Sequence, residues 1–154
     1  MRTPPPGSAA TGATSPGAGP PGEWARAAFA VVQEAQAAAL DAARAGVPAR
    51  DVDSAQREVV EGASELGRCL HGAGHAMGVD VHEPPFLVPQ TGTPLEEGMV
   101  LTIEPGLYQP GVGGIRLEDD VLVTSGEPEL LCRLPLELRE IRAEERSMEN
   151  HEKE

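Results

Sequence analysis

The chain has 154 residues, enough for one domain of ordinary size, and 40% of them are hydrophobic. Only 3% are aromatic, so a core has to rest on Ala, Val, Leu and Ile. Acidic residues outnumber basic ones by 25 to 12, and the net charge of −13 repels nucleic acid; no apolar run reaches the roughly 18 residues of a membrane span.

Residues 1–22 hold six prolines and five glycines and read as a disordered segment, because such a composition cannot bury enough apolar surface to order itself. Arg2 is its only charge and it has no apolar h-region, so it is not a secretory signal. Residues 23–45, EWARAAFAVVQEAQAAALDAARA, are alanine-rich and predict a helix. Ala25, Phe29, Val32, Ala35, Ala39 and Ala42 recur at three- and four-residue steps as its apolar face, with Leu40 at the margin. Gly46 and Pro48 supply the stop. A second helix is predicted from Asp51, an N-cap candidate, with Val52, Ala55, Val59 and Ala63 facing inward. Both stripes predict packing against a sheet.

The run His71-Gly-Ala-Gly-His75-Ala-Met-Gly78 contains three glycines, which argue against a helix interior. Its histidines are therefore not a helical zinc-binding pair, and no HExxH sequence is present. In an extended conformation His71, Ala73, His75 and Met77 share one face. The glycines share the other, where a backbone or a ligand can come close. His82 and Glu83 follow, ahead of Pro84 and Pro85.

The segment MVLTIEP, residues 99–105, predicts a strand with Val100, Thr102 and Glu104 on one face; Pro105 has no N–H and ends the ladder. The segment GIRLEDDVLV, residues 114–123, alternates in the same way. Ile115, Leu117, Val121 and Val123 fall on one face with Asp119 as the exception, and Arg116, Glu118, Asp120 and Leu122 fall on the other. A Gly- and Pro-rich connector makes the two segments antiparallel neighbours, so that Glu104 and Glu118 face each other. Opposed carboxylates repel. A cation between them relieves this, and so does a shared proton that raises one of the two pKa values.

Residues 128–138, PELLCRLPLEL, predict a last strand or irregular edge segment, and residues 139–154 a charged, frayed tail in which His151 has no role. Cys69 and Cys132 lack CxxC spacing; with no secretory signal they read as reduced thiols of a cytoplasmic protein. Cys69 lies near His71 in sequence, so a thiol–imidazole nucleophile is the alternative to a small buried residue.

The blocks GHAMGVDVHEPP, LEEGMVLTIEPGLY and GGIRLEDDVLVT, in this order, resemble the C-terminal half of the M24 metallopeptidases. They are most similar to that family's proline-specific branch, Xaa-Pro aminopeptidase and Xaa-Pro dipeptidase (prolidase). The resemblance implies an α+β, partial pita-bread fold over residues 23–138: two helices packed on an antiparallel sheet, with the N-terminal half of the family domain missing. Residue by residue it implies His75, Glu104 and Glu118 as metal ligands, Glu118 being the glutamate that bridges two ions. His71 and His82 match the family's substrate-contacting, proton-moving histidines, and Arg116 an arginine beside the bridging carboxylate.

The family's two aspartate ligands, carried on an upstream DxG…D block, have no counterpart among Asp41, Asp51, Asp53, Asp80, Asp119 and Asp120. At most one of the family's two divalent ions is therefore expected, Mn or Co by the carboxylate-rich donor set, with Zn also accommodated. A truncated or frame-disrupted copy of a longer gene is the reading of residues 1–22. The implied reaction is metal-dependent hydrolysis of short peptides with proline after the scissile bond. A non-catalytic peptide- or protein-binding module, an inactive fragment and a creatinase-like C–N hydrolase are the alternatives. A half domain leaves a sheet edge and an apolar face uncovered, which implies a homo-oligomer or a complementing chain.

Overall fold

A computed structural model describes residues 12–14, 22–131 and 138. The expected tail and most of the expected disordered segment lie outside these residues, as do Cys132 and His151. Within that segment Gly12–Thr14 form a short strand, β1. Three residues with almost no apolar surface can do this because strand pairing uses backbone groups that every residue but proline carries.

The alanine-rich run becomes α1, Glu23–Ala42, three residues shorter than its composition suggests. The chain leaves the helix where neighbours capture its next amides. Ala45 N–H donates to Thr124 O at 3.0 Å and Gly46 N–H to Leu95 O at 2.8 Å. Ala28 and Gln36 join Phe29, Val32, Ala35 and Ala39 on the buried face, while Ala25 and Ala42 sit at its edges.

The second helix, α2, spans Ala49–Gly62 and begins at Pro48 rather than Asp51. No side-chain cap is needed, because the amides of Ala49 and Arg50 donate to the carbonyls of Thr93 and Thr91, each at 2.9 Å. Asp51 instead lies in the first turn, where its charge favours the helix dipole. The inward stripe is also rotated from the expected one. Ala49, Val52, Asp53, Gln56 and Val60 are buried, while Ala55, Val59 and Ala63 are only half-buried. A periodic pattern of alanines does not distinguish the two settings; the polar partners of Asp53 and Gln56 do.

Seven more strands follow: β2 Gly74–Ala76, β3 Glu83–Leu87, β4 Val100–Ile103, β5 Gly106–Gln109, β6 Gly113–Arg116, β7 Asp119–Leu122 and β8 Glu129–Leu130. All pairings are antiparallel, in one sheet of order β3-β2-β4-β7-β8 and a second of order β1-β6-β5. The first expected strand ends before Pro105 as read, but the Gly- and Pro-rich connector after it holds a further strand, β5, while the second expected strand is broken at Leu117-Glu118 between β6 and β7. Each half passes to a different sheet, so one long hairpin is bent across two sheets.

The helices cover both sheets. The N-terminal half of α1 packs Phe29 and Val32 with Leu107, Ile115 and Leu117 of the smaller sheet's hairpin. Its C-terminal end and α2 pack Ala39 and Val52 with Leu87, Leu101, Ile103 and Val121 of the larger sheet. Leu101, Ile103, Leu107 and Leu117 are all fully buried, and each contributes roughly 1.5–3 kcal/mol relative to an exposed side chain. No helix of the described residues is long and apolar enough to cross a membrane.

Candidate metal centre

The break in the hairpin places the acidic residues. Ile103 pairs with Asp119 and Gly106 with Arg116, and the register is the same on both sides of the bend. Counting through it sets Glu104 opposite Glu118 and Pro105 opposite Leu117, whose N–H donates to the Pro105 carbonyl at 3.2 Å. Both glutamates therefore project where neither sheet's ladder constrains them. Burial, with Glu104 beside it, raises the pKa of Glu118.

His75 sits in the middle of β2, 7% exposed. Its backbone N–H donates to Thr102 Oγ1 at 3.1 Å, and the Thr102 hydroxyl donates to Glu104 Oε1 at 3.3 Å. The ring nitrogen Nδ1 lies 3.0 Å from the Ala76 carbonyl, which can only accept, so Nδ1 carries the proton. Nε2 is left facing Glu104 Oε1 at 3.4 Å. Two ligands at about 2.1 Å from one tetrahedral ion stand about 3.4 Å apart, so this pair has the spacing of metal donors. An Nδ1–H tied to a carbonyl is also how a metal-binding histidine is usually oriented.

The close approach of β2 to β4 depends on glycine. A Cβ on Gly74, whose φ is +153°, would collide with the Thr102 carbonyl, and one on Gly72 with the Leu87 carbonyl. Neighbouring backbone at Gly72 and Gly74, and the Glu83 side chain at Gly78, fill the glycine face of this run.

Glu118 does not join the His75–Glu104 pair directly. Arg116 Nη2 donates to Glu118 Oε2 at 3.2 Å, while Arg116 Nη1 lies 3.4 Å from Glu104 Oε2. The guanidinium thus occupies the place between the carboxylates that charge repulsion led us to assign to a metal or a proton. Among the described residues no group of three or more His, Cys, Asp or Glu stands together as a metal-holding cluster. The donor chemistry fits for two residues and not for three, so the residues as placed do not make a complete metal site.

The other two histidines border the pair. The His82 ring lies 4.3 Å from that of His75, and the residue is exposed. His71 Nδ1–H donates to Gly72 O at 2.8 Å, and Nε2 accepts from the Tyr108 hydroxyl at 2.8 Å. Gly106 leaves the room for this contact, since a Cβ there would fall 2.8 Å from His71 Nε2. Burial raises the Tyr108 pKa and keeps its O–H protonated as a donor. The thiol–imidazole alternative is overturned: Cys69 Sγ reaches the His71 backbone carbonyl at 3.0 Å and the Gln56 side chain, while the imidazole is engaged by Tyr108.

Sequence reasoning missed Thr102, Tyr108 and the anchor of the His71 segment. Thr102 had a signal, its shared face with Glu104; Tyr108 is the chain's single tyrosine. The anchor is Asp53, fully buried, which accepts from Ala73 N–H at 3.1 Å and twice from Arg57 at 3.0 Å. Arg57 also donates to His71 O at 3.3 Å. Its sequence trace was an Asp and an Arg four residues apart on α2.

Residues 9–125, well over half of the chain, match the model of metallopeptidase family M24. The chain belongs to that family. This M24 chain is 40% identical over 120 residues to the Xaa-Pro dipeptidase of Pyrococcus furiosus, covering 78% of itself and 34% of that relative. It superposes on the Xaa-Pro dipeptidase of Bacillus anthracis with a TM-score of 0.74 at 37% identity, over 78% of this chain and 34% of the other. A methionine aminopeptidase from Thermotoga maritima shares the fold, with a TM-score of 0.64 at 23% identity over 73% and 53% of the two chains. The match to the C-terminal half of prolidase-like M24 members and the partial pita-bread fold are as the sequence led us to expect. The chain spans about a third of the length of the Xaa-Pro dipeptidases it matches.

Proposed function

We propose that this chain carries one side of an X-Pro peptidase site, for metal-dependent hydrolysis of short peptides with proline after the scissile bond. His75, Glu104 and Glu118 are the ligands it offers; His71 and His82 are the groups that meet the substrate. The observation that carries this reading is the His75–Glu104 pair, a ring Nε2 and a carboxylate oxygen 3.4 Å apart and oriented by Ala76 O and Thr102. The prolidase-like relatives support the substrate class.

The chain's own residues hold and move protons near that pair. The Tyr108 hydroxyl shares its proton with His71 Nε2, which is suited to steady a developing oxyanion or pass a proton to a leaving amine. Further ligands have to come from a second copy or a complementing chain. Mn or Co suits the carboxylate-rich set, with Zn as the alternative. Cys69, a free thiol, is in keeping with a cytoplasmic location.

Equilibrium dialysis against Mn, Co and Zn, with Glu104→Ala as control, tests the reading together with hydrolysis of an Xaa-Pro dipeptide. One ion per chain, lost in the variant, supports it. A folded protein that takes up none overturns it. A second reading, a peptide-binding module without turnover, is favoured by Arg116 neutralising both carboxylates. Peptide binding that persists in chelator without hydrolysis would support it.

A further inference from the structure

The outer strands of a sheet carry backbone groups that have to be covered or made unusable. Among the described residues this is done in different ways. β3 contains Pro84 and Pro85, which have no N–H to offer a neighbour, and β8 is only two residues long. β5 is closed by the chain itself, since Arg68 and Tyr108 exchange backbone hydrogen bonds, each at 3.0 Å. The flank of β6 away from β5 is covered by β1 alone, the three residues Gly12–Thr14. It pairs Gly12 with Arg116, Ala13 with Ile115 and Thr14 with Gly114. Glycine and alanine are poor strand formers, so a Gly-Ala-Thr sequence holds this place mainly by its backbone hydrogen bonds.

A strand docked on β6 meets two different faces. Ile115 is 1% exposed and packs with Phe29 and Val32 of α1, and a residue set opposite it across strands shares that face. Gly114 and Arg116 look the other way. The Tyr108 ring lies over Gly114, where a Cβ would collide with it, and Arg116 reaches both Glu104 and Glu118. A residue opposite Arg116 therefore stands beside the candidate site. Two carboxylates already outnumber one guanidinium there, so a third is disfavoured and a neutral hydroxyl suits.

We propose that this flank of β6 is a strand-acceptor site for an extended, uncharged segment of another protein, with a β-branched apolar residue opposite Ile115 and a hydroxyl residue opposite Arg116. Such a segment displaces β1 by pairing with the same backbone groups and adding side-chain contacts that Gly-Ala-Thr has little surface to supply. β1 is then a weak cover that keeps the flank from pairing at random. Docking needs neither metal nor turnover, so it goes beyond the peptidase reading and does not depend on it.

The test is fluorescence anisotropy, in chelator, of a labelled, end-blocked peptide with the core Thr-Val-Thr against the full chain and two variants. Gly12→Pro/Ala13→Pro weakens the cover, because consecutive amides of a strand point to opposite sides and one of these two faces β6. Gly12→Thr/Ala13→Val strengthens it. Relative to the parent, the peptide Kd should be about fivefold tighter for the proline variant and about fivefold weaker for the strengthened one. Aspartate in place of the first threonine of the peptide should also weaken binding. Equal Kd values for all three proteins place the peptide elsewhere and overturn the proposal. So does the absence of binding to a proline variant that circular dichroism shows to be folded. If that variant does not fold, an undiminished affinity in Gly12→Thr/Ala13→Val overturns the proposal by itself. An aspartate peptide that binds as well or better overturns the stated chemistry. Dimerisation of the proline variant without peptide, read by sedimentation velocity, means that the flank takes a second copy and overturns the partner assigned to it.

Discussion

Asp53 offers a sharp test of how the His71 segment is held. It is fully exposed to no solvent, yet it is a carboxylate, and four donors converge on it: Ala73 N–H, Arg57 Nε and Nη2, and Gln56 Nε2. Replacing it in Asp53→Ala takes away one of two acceptors of the Ala73 amide, which keeps the Leu87 carbonyl at 2.8 Å, and uncouples Arg57. Breaking a fully buried ion pair costs about 3–5 kcal/mol, but the Arg57 side chain is 27% exposed and regains some hydration, which trims that figure. With the Ala73 amide still satisfied, the loss comes mainly from the ion pair, and about 3 kcal/mol is expected. With a urea slope of about 2 kcal/mol per molar, the denaturation midpoint falls by about 1.5 M. Asp53→Asn keeps one acceptor oxygen for Ala73 N–H and should lose about half as much. Urea titrations followed by circular dichroism, with Ser54→Ala as an exposed control on the same helix, measure all three. A midpoint for Asp53→Ala within the error of the parent would refute the view that this carboxylate fastens the His71–Ala73 segment to α2.

Asp119 should make stability fall with rising pH. It is 6% exposed, and burial, with Asp120 nearby, pushes its pKa up to about 6. The folded state therefore holds the proton more tightly than the unfolded chain. Its contribution to stability is greatest below the ordinary aspartate pKa of about 3.9 and declines by up to about 1.4 kcal/mol per pH unit until the folded pKa is passed. Asp119→Asn keeps an acceptor for Gln36 Nε2 and removes the charge, so its stability between about pH 4 and pH 6 should decline less steeply than the parent's; equal slopes would contradict this. Gly74→Ala should destabilise by about 3 kcal/mol, because its Cβ meets the Thr102 carbonyl and the backbone at φ +153° favours glycine. Gly62→Ala, with nothing within 4 Å of its Cβ, should be neutral or slightly stabilising, and thermal unfolding of the two variants side by side separates them.

Much of this architecture was legible in the sequence. The alanine run forms α1, and the alternating segments around Glu104 and Glu118 form strands, because helix propensity and side-chain alternation are local properties. The antiparallel neighbourhood of those segments followed from a short connector. Errors arose where a local pattern had more than one partner to choose from. Asp51 has the right residue type for a cap, but the helix already starts at Ala49, where the Thr93 and Thr91 carbonyls take the amides of Ala49 and Arg50. Asp119 broke the apolar alternation on its strand and is buried all the same, because Gln36 on α1 meets it at 2.9 Å.

The sequence by itself determined the family, since a histidine in a glycine run and two glutamates at strand ends are readable one segment at a time. Only the tertiary structure decided how those residues meet. The bend at Pro105 sends one hairpin into two sheets, and the register through that bend puts Glu104 opposite Glu118. The resemblance put Arg116 beside Glu118, but that its guanidinium also reaches Glu104 was beyond the sequence. Alternation put Arg116 and Glu118 on one face, but whether a guanidinium reaches both carboxylates depends on ångström-scale distances across strands. Those distances, 3.4 Å to Glu104 and 3.2 Å to Glu118, depend on how the two strands cross the bend rather than on any one segment.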